Sequence, residues 1–210
     1  MEPDPQLAVA DGLRAAIHAF TANVHDAESL ARAHGLLAQV TSTLAGPPET
    51  LHEDFEGTDP ATWRHYIARS AFGGGRNPLG PRVDYDDPPG DVAGPFRVTG
   101  RLTLGWPHQG GPGMVHGGVV AGYFDHFLGL AQGSGQGFTC ATVRLAVRYV
   151  RPTPLDRELT FAAWLDEPAG RDVVGHATCH AGEVLTADAE GLFRRIDDMT
   201  ALGQRGQRGS

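Results

Sequence analysis

The stretch VVAGYFDHFLGLAQG, Val119–Gly133, decides the fold. Wound as a helix it is apolar almost all round, so it has little to offer water and must be buried. Working outward, Phe96, Val98, Leu102 and Leu104 alternate with Arg97, Thr99, Arg101 and Thr103. That period of two marks a half-buried strand before the helix. Beyond the break GSGQG, four more strands are expected at about 139–150, 158–166, 172–181 and 184–195. PTPLD, EPAGR and HAGE separate them, and the last three read as antiparallel neighbours joined by short turns. One strand, one apolar helix and four strands make an α+β plan. The economical way to cover the helix is a curved antiparallel sheet of five or six strands wrapped around it.

Further out, residues 5–45 read as helical, with a break near His25-Asp26. Leu13, Ile17, Phe20 and Val24 form one stripe, and Leu30, Ala33, Leu37, Val40 and Leu44 another. Gly46-Pro47-Pro48 ends the second helix. A short helix is predicted from Pro60 to Arg69, with Asp59 as its N-cap. Residues 70–94 are rich in glycine and proline, and no regular structure is expected there. The organisation is then an N-terminal helical extension and irregular loop over 1–92, the main domain over 93–198, and a tail over 199–210.

The bulk composition excludes several classes. At 210 residues, with 40% hydrophobic and 20% charged residues, the chain suits an ordinary globular domain with an appendage. Its net charge of −8, without a basic run, argues against nucleic acid as a partner, which needs a concentrated basic face. Two cysteines, Cys140 and Cys179, do not make a disulfide framework and point to a reduced cytoplasmic setting. The opening MEPDPQLAVADG lacks the plan of a signal peptide. No stretch approaches the roughly 18 consecutive apolar residues of a membrane span, so no membrane partner is expected.

Asp125 is the first chemical signal. It sits among Val119, Val120, Tyr123, Phe124, Phe127 and Leu128, where an unpaired buried charge is costly. Such a carboxylate reaches solvent, bonds a buried donor, or works. His116, Gly117 and Gly118 open the same helix, and glycines there leave backbone N–H groups accessible at its positive end. Donors so placed suit a carbonyl oxygen that gains charge during acyl transfer. Asp125 follows His116 by nine residues, on the order of 13 Å along the axis. The two cannot touch within one chain, and the spacing favours a site built between two protomers.

HGGVVAGYFD resembles the HGG-x6-D signature of PaaI-like hotdog-fold thioesterases. The longer run from GPGMVHGG through RYVRPTPLD to AEGLFRRI is similar to the branch of carboxyl-terminal-modulator-type acyl-CoA thioesterases, over about residues 95–197. The resemblance implies a hotdog fold and hydrolysis of an acyl-CoA or acyl-carrier-protein thioester, with coenzyme A present only as part of the substrate and no other cofactor. It implies that Asp125 is general base or nucleophile, and that the Gly117 and Gly118 amides, braced by His116, polarise the carbonyl. It also implies a water-orienting hydroxyl near the start of the next strand, which counting back from Arg151-Pro152 places at Thr142. The alternation Val143, Leu145, Val147, Tyr149 puts Thr142 on the wrong face unless the strand start is bulged. Many relatives carry Asn six residues before the motif His, where this chain has Gly110; Gln109 beside it either substitutes or the bond is absent. Arg148 and Arg151 are candidates for coenzyme A phosphates, or else lie on a solvated strand face. An exposed sheet edge predicts a homodimer with one continuous sheet, or a tetramer made of two such dimers.

Rival readings are a non-hydrolytic acyl-CoA or lipid-binding protein, and a dehydratase or hydratase acting on acyl thioesters. The latter needs a His base, and the central helix offers only His126. A metal site is not expected: His176 and His180 share a strand face but stand about 13 Å apart. Ser134 lacks the G-x-S-x-G setting of a serine hydrolase.

Overall fold

The computed structural model describes residues 4–47, 65, 67–86, 97–133 and 139–196. Helix α1 spans Pro5–Ala22 and α2 spans Ala27–Leu44. Asp26 caps α2 through a hydrogen bond from the Ser29 N–H at 2.7 Å, so the break expected near His25-Asp26 is a helix cap. The strands are β1 (Asp84–Tyr85), β2 (Arg97–Thr103), β3 (Thr139–Tyr149), β4 (Glu158–Leu165), β5 (Asp172–Ala181) and β6 (Val184–Ile196), and the central helix α3 is Gly117–Gly133. They form one six-stranded sheet in the order β1-β2-β4-β5-β6-β3, with every pair antiparallel. This is the hotdog arrangement.

The helix is buried as its composition demands. Val120, Tyr123, Phe124, Phe127 and Leu128 are almost wholly covered. They meet Leu102, Leu159, Phe161, Val173 and Phe193 from the inner face of the sheet. Phe161 of β4 is central: the rings of Tyr123, Phe124 and Phe127 lie 5.4–5.5 Å from its own. Burying one such ring contributes roughly 1.5–3 kcal/mol, so this cluster holds α3 in the sheet.

Three expectations change. Residues 70–94 are not wholly irregular, because β1 pairs with β2 at Asp84↔Arg101 and Tyr85↔Gly100. Two residues are too short to show an alternation. The stripe Leu30, Leu37, Val40 and Leu44 of α2 does not enter a core: α2 has no buried residue. The α1 stripe behaves similarly, with Ile17, Phe20 and Val24 exposed. A polar residue fastens α1 instead. The Arg14 guanidinium donates to the carbonyls of Gly74, Gly75, Asn77 and Gly80 at 2.6–3.1 Å. Arg76 adds an ion pair to Asp4. The predicted Asp59 cap, most of the Pro60–Arg69 helix, the GSGQG break beyond Gly133 and the 199–210 tail lie outside the described residues.

Candidate active site

The segment before α3 is held on both sides by backbone hydrogen bonds. After a 3-10 turn at Trp106–His108, His116 N–H donates to the His108 carbonyl and Val115 N–H to the Thr153 carbonyl, both at 2.9 Å. The Gly110 N–H donates to Met114 O, also at 2.9 Å. A Cβ at position 110 would lie 2.7 Å from the His116 Cα. That contact excludes a side chain from this backbone and gives a physical reason for glycine where relatives carry Asn. Gln109 pairs with Val115 through its backbone, and its side chain makes no hydrogen bond among the described residues.

At the start of α3 the two glycine amides differ. Gly118 N–H donates to Nδ1 of His116 at 3.0 Å, so the histidine caps its own helix. Gly117 N–H has no acceptor among the described residues. It points outward at the positive end of the helix. The Gly117 carbonyl accepts a hydrogen bond from the Tyr149 hydroxyl at 2.8 Å. The alternation along β3 puts Tyr149 on the helix-facing side but does not specify this contact.

Two turns further on, Asp125 is exposed rather than buried. The apolar neighbours that suggested burial lie on the other faces of the helix. Thr142 donates its hydroxyl proton to Asp125 Oδ1 at 2.9 Å. The bulge that this contact requires is present: the β3–β6 register shifts between Thr142 and Arg144, with Val143 as the extra residue. Cys140 and Thr142 before the bulge, and Leu145 and Val147 after it, therefore share the α3 side of the sheet, and Cys140, Leu145 and Val147 pack on the core.

The arginines are placed otherwise. Arg148 lies on the outer face of β3, where its Nε contacts both carboxylate oxygens of Asp188 at 3.0–3.1 Å. Within one protomer it does not reach the start of α3. Arg151 donates to the Leu185 carbonyl at 3.4 Å. His126 projects away from Asp125 into a half-buried polar cluster. Its Nε2 lies 2.8 Å from the Tyr85 hydroxyl and its Nδ1 lies 3.2 Å from Ser70 Oγ. Burial pushes the His126 pKa down to about 4 and raises that of Tyr85, so the ring is neutral at pH 7. It anchors the 70–85 segment to α3, which the sequence did not reveal because Ser70 and Tyr85 are distant along the chain.

With this geometry in place, the match to known proteins is specific. A family model described as the Thioesterase superfamily matches residues 112–184, from just ahead of His116 to the start of β6. That match takes in His116, the central helix, β3 to β5 and the turn before β6, about a third of the chain. The acyl-coenzyme A thioesterase THEM4 of Bos taurus is 34% identical over 101 residues, covering 46% of this chain and 40% of that protein. The chain thus spans about two fifths of the length of this curated relative. A crystal structure of a thioesterase superfamily protein is 29% identical, with a TM-score of 0.77 over 92% of both chains. Its coverage extends the likeness beyond the hotdog domain to the N-terminal helices. A mutant hypothetical thioesterase protein from Streptococcus pneumoniae TIGR4, at 15% identity and a TM-score of 0.50, covers 56% of this chain and 93% of its own. That likeness shows the fold alone.

Proposed function

We propose that this chain hydrolyses an acyl thioester, delivered on coenzyme A or an acyl-carrier protein, to the free acid and thiol. The observation that carries the reading is the Thr142–Asp125 hydrogen bond on a helix whose first glycine N–H has no acceptor among the described residues. Thr142 holds Oδ1 of Asp125, leaving Oδ2 to act. As general base, Asp125 takes a proton from water while the water oxygen bonds to the thioester carbon. The carbonyl oxygen gains negative charge and is stabilised by the Gly117 N–H, aided by the helix dipole. Collapse of this intermediate breaks the C–S bond, and the thiolate takes up a proton. Asp125 acting instead as nucleophile would give a mixed anhydride that water then cleaves. Gly118 supports the hole from behind, through its bond to His116.

Asp125 and Gly117 are too far apart on one helix to serve the same carbonyl, so each site takes Asp125 from one protomer and Gly117 from its partner. The β3 edge supports a homodimer: Val143 and Tyr149 are about half exposed, and an unpaired antiparallel edge is a template for a second copy. Two such dimers stacking would make a tetramer. Arg151 is the better of the two arginines for a coenzyme A phosphate, because Arg148 is committed to Asp188. Metal and redox cofactors have no role in this scheme. No helix among the described residues is long and apolar enough to cross a membrane, and a cytoplasmic setting remains the proposal from cysteine usage.

The test is thiol release from short, long and aromatic acyl-CoAs. Asp125→Asn should lower turnover at least about 100-fold, the scale of a lost general base, while the protein stays folded, since Asp125 is solvent-exposed. Full turnover in a folded Asp125→Asn would overturn the mechanism. One observation favours a second reading: Gly110 offers no side chain and the Gln109 side chain makes no hydrogen bond among the described residues, so neither supplies the polar contact expected near the carbonyl. Acyl-CoA binding with no thiol release by the wild type would make this a binding protein. The hydratase reading gains nothing, because both ring nitrogens of His126 are engaged by Tyr85 and Ser70.

A further inference from the structure

We infer that Tyr149 is a positioning residue that sets the donor geometry at the start of the central helix by acting through one peptide bond. The inference rests on the thioesterase reading of that helix start. The Tyr149 hydroxyl donates to the Gly117 carbonyl at 2.8 Å. That carbonyl belongs to the same planar unit as the Gly118 N–H, which donates to His116 Nδ1 at 3.0 Å. A peptide unit is rigid, so holding its oxygen also fixes the direction of its N–H. Hydrogen bonds in series polarise one another, so the tyrosine strengthens the bond to His116 as well as aiming it. The chain of contacts runs from Tyr149 Oη through the Gly117–Gly118 peptide to His116 Nδ1.

The consequence for His116 follows from its bonding inventory. A neutral imidazole carries one N–H and one acceptor nitrogen. With Nδ1 accepting from Gly118, the proton resides on Nε2, and Nε2 has no partner among the described residues. Among the described residues, two N–H donors, those of Gly117 and of the His116 ring, are therefore without an acceptor where the helix begins. The tyrosine ring also packs on Gly117: a Cβ at that position would lie 3.2 Å from it. Contact and hydrogen bond together restrain this peptide against the crankshaft rotation that its two glycines would otherwise permit. The contact cannot be read from local sequence, since Tyr149 lies 32 residues after Gly117. It exists because β3 runs antiparallel to β6 at the sheet edge and ends beside the start of α3.

Tyr149→Phe removes one oxygen and keeps the ring. On the best acyl-CoA, kcat should fall between about three-fold and ten-fold, the scale of one neutral hydrogen bond, with KM changed less than about two-fold. Nitrogen NMR of the imidazole should show the Nε2–H form of His116 in the wild type and a mixture of tautomers in the variant. The Gly118 amide should exchange with solvent faster in the variant, while thermal stability stays within a few degrees. Unchanged tautomer and exchange in folded Tyr149→Phe would overturn the inference, whatever happens to turnover. So would a loss of turnover that appears only as raised KM. Should the wild type release no thiol, the thioesterase reading fails on its own, and the NMR and exchange measurements still decide the role of Tyr149. If the Phe variant does not fold, Tyr149→His, which retains a ring donor, is scored by the same tautomer and exchange readouts.

Discussion

Thr142 and Asp125 are 17 residues apart, and everything about their contact turns on one extra residue. Strict alternation along β3 would send Thr142 to the outer face. The bulge at Val143 returns it to the helix side, leaving Val143 itself about half exposed. If the hydroxyl matters by holding Asp125, then Thr142→Ala should reduce turnover about ten-fold and Thr142→Ser should restore most of it, because Ser keeps the donor. Equal turnover in the Ala and Ser variants would remove Thr142 from the mechanism. Asp125 itself was legible from sequence as a lone carboxylate in an apolar helix. Its exposure was not, because one chain's hydrophobic pattern does not say which flank the sheet leaves uncovered. The Gly117/Gly118 pair was legible as an open helix start, but the unequal use of the two amides depends on the rotamer of His116. Gln109 and Arg151 could be named from sequence as candidates. The commitment of Arg148 to Asp188 could not, since it requires the register Arg148↔Asp188 between β3 and β6.

At the scale of elements, the 70–85 segment and α3 are coupled through His126. This imidazole is neutral in the folded state because burial holds its pKa near 4, below its ordinary 6.5. The unfolded chain takes up the proton at the higher value. Between pH 6.5 and 4 the unfolded state therefore binds more protons, and stability falls as pH falls. The stabilisation is complete above about pH 6.5 and is lost progressively on acidification toward pH 4. Urea denaturation should show a loss on the order of 2 kcal/mol from this group between pH 7 and 5. In His126→Phe that part of the slope should vanish; an identical slope in the variant would mean other groups cause it. Helices α1 and α2 make the opposite lesson. Their periodicity was plain in the sequence and their boundaries follow its caps, yet the apolar stripes predicted a buried face that a single chain does not supply. What fastens α1 is Arg14 in a ring of four backbone carbonyls, an arrangement made by loop geometry that no residue pattern announces.

For the whole molecule, the decisive issue is whether one site needs two chains. Asp125→Asn and Gly117→Val should each be inactive alone. Co-expressed, they should regain about a quarter of wild-type turnover: half of randomly paired dimers are mixed, and each mixed dimer restores one of its two sites. No recovery in mixed dimers would place the whole site within one protomer. Light scattering should give a mass of at least twice the 22.3 kDa chain; a monomer that still turns over substrate would contradict the proposed assembly.

By itself, the sequence determined the order of the central helix and the five strands β2 to β6 around it, the burial of that helix and the identity of its chemically unusual residues. Those features arise from local periodicity and from the cost of leaving apolar surface in water, both of which act along the chain. Only the tertiary structure decided that Thr142 meets Asp125, that Tyr149 holds the Gly117 carbonyl, and that His126 bonds Tyr85 and Ser70. Each of these contacts joins residues on different elements, and each depends on strand register, a single bulge or a side-chain rotamer. A shift of one residue reverses every side chain on a strand, so such contacts are settled only when the sheet closes around its helix.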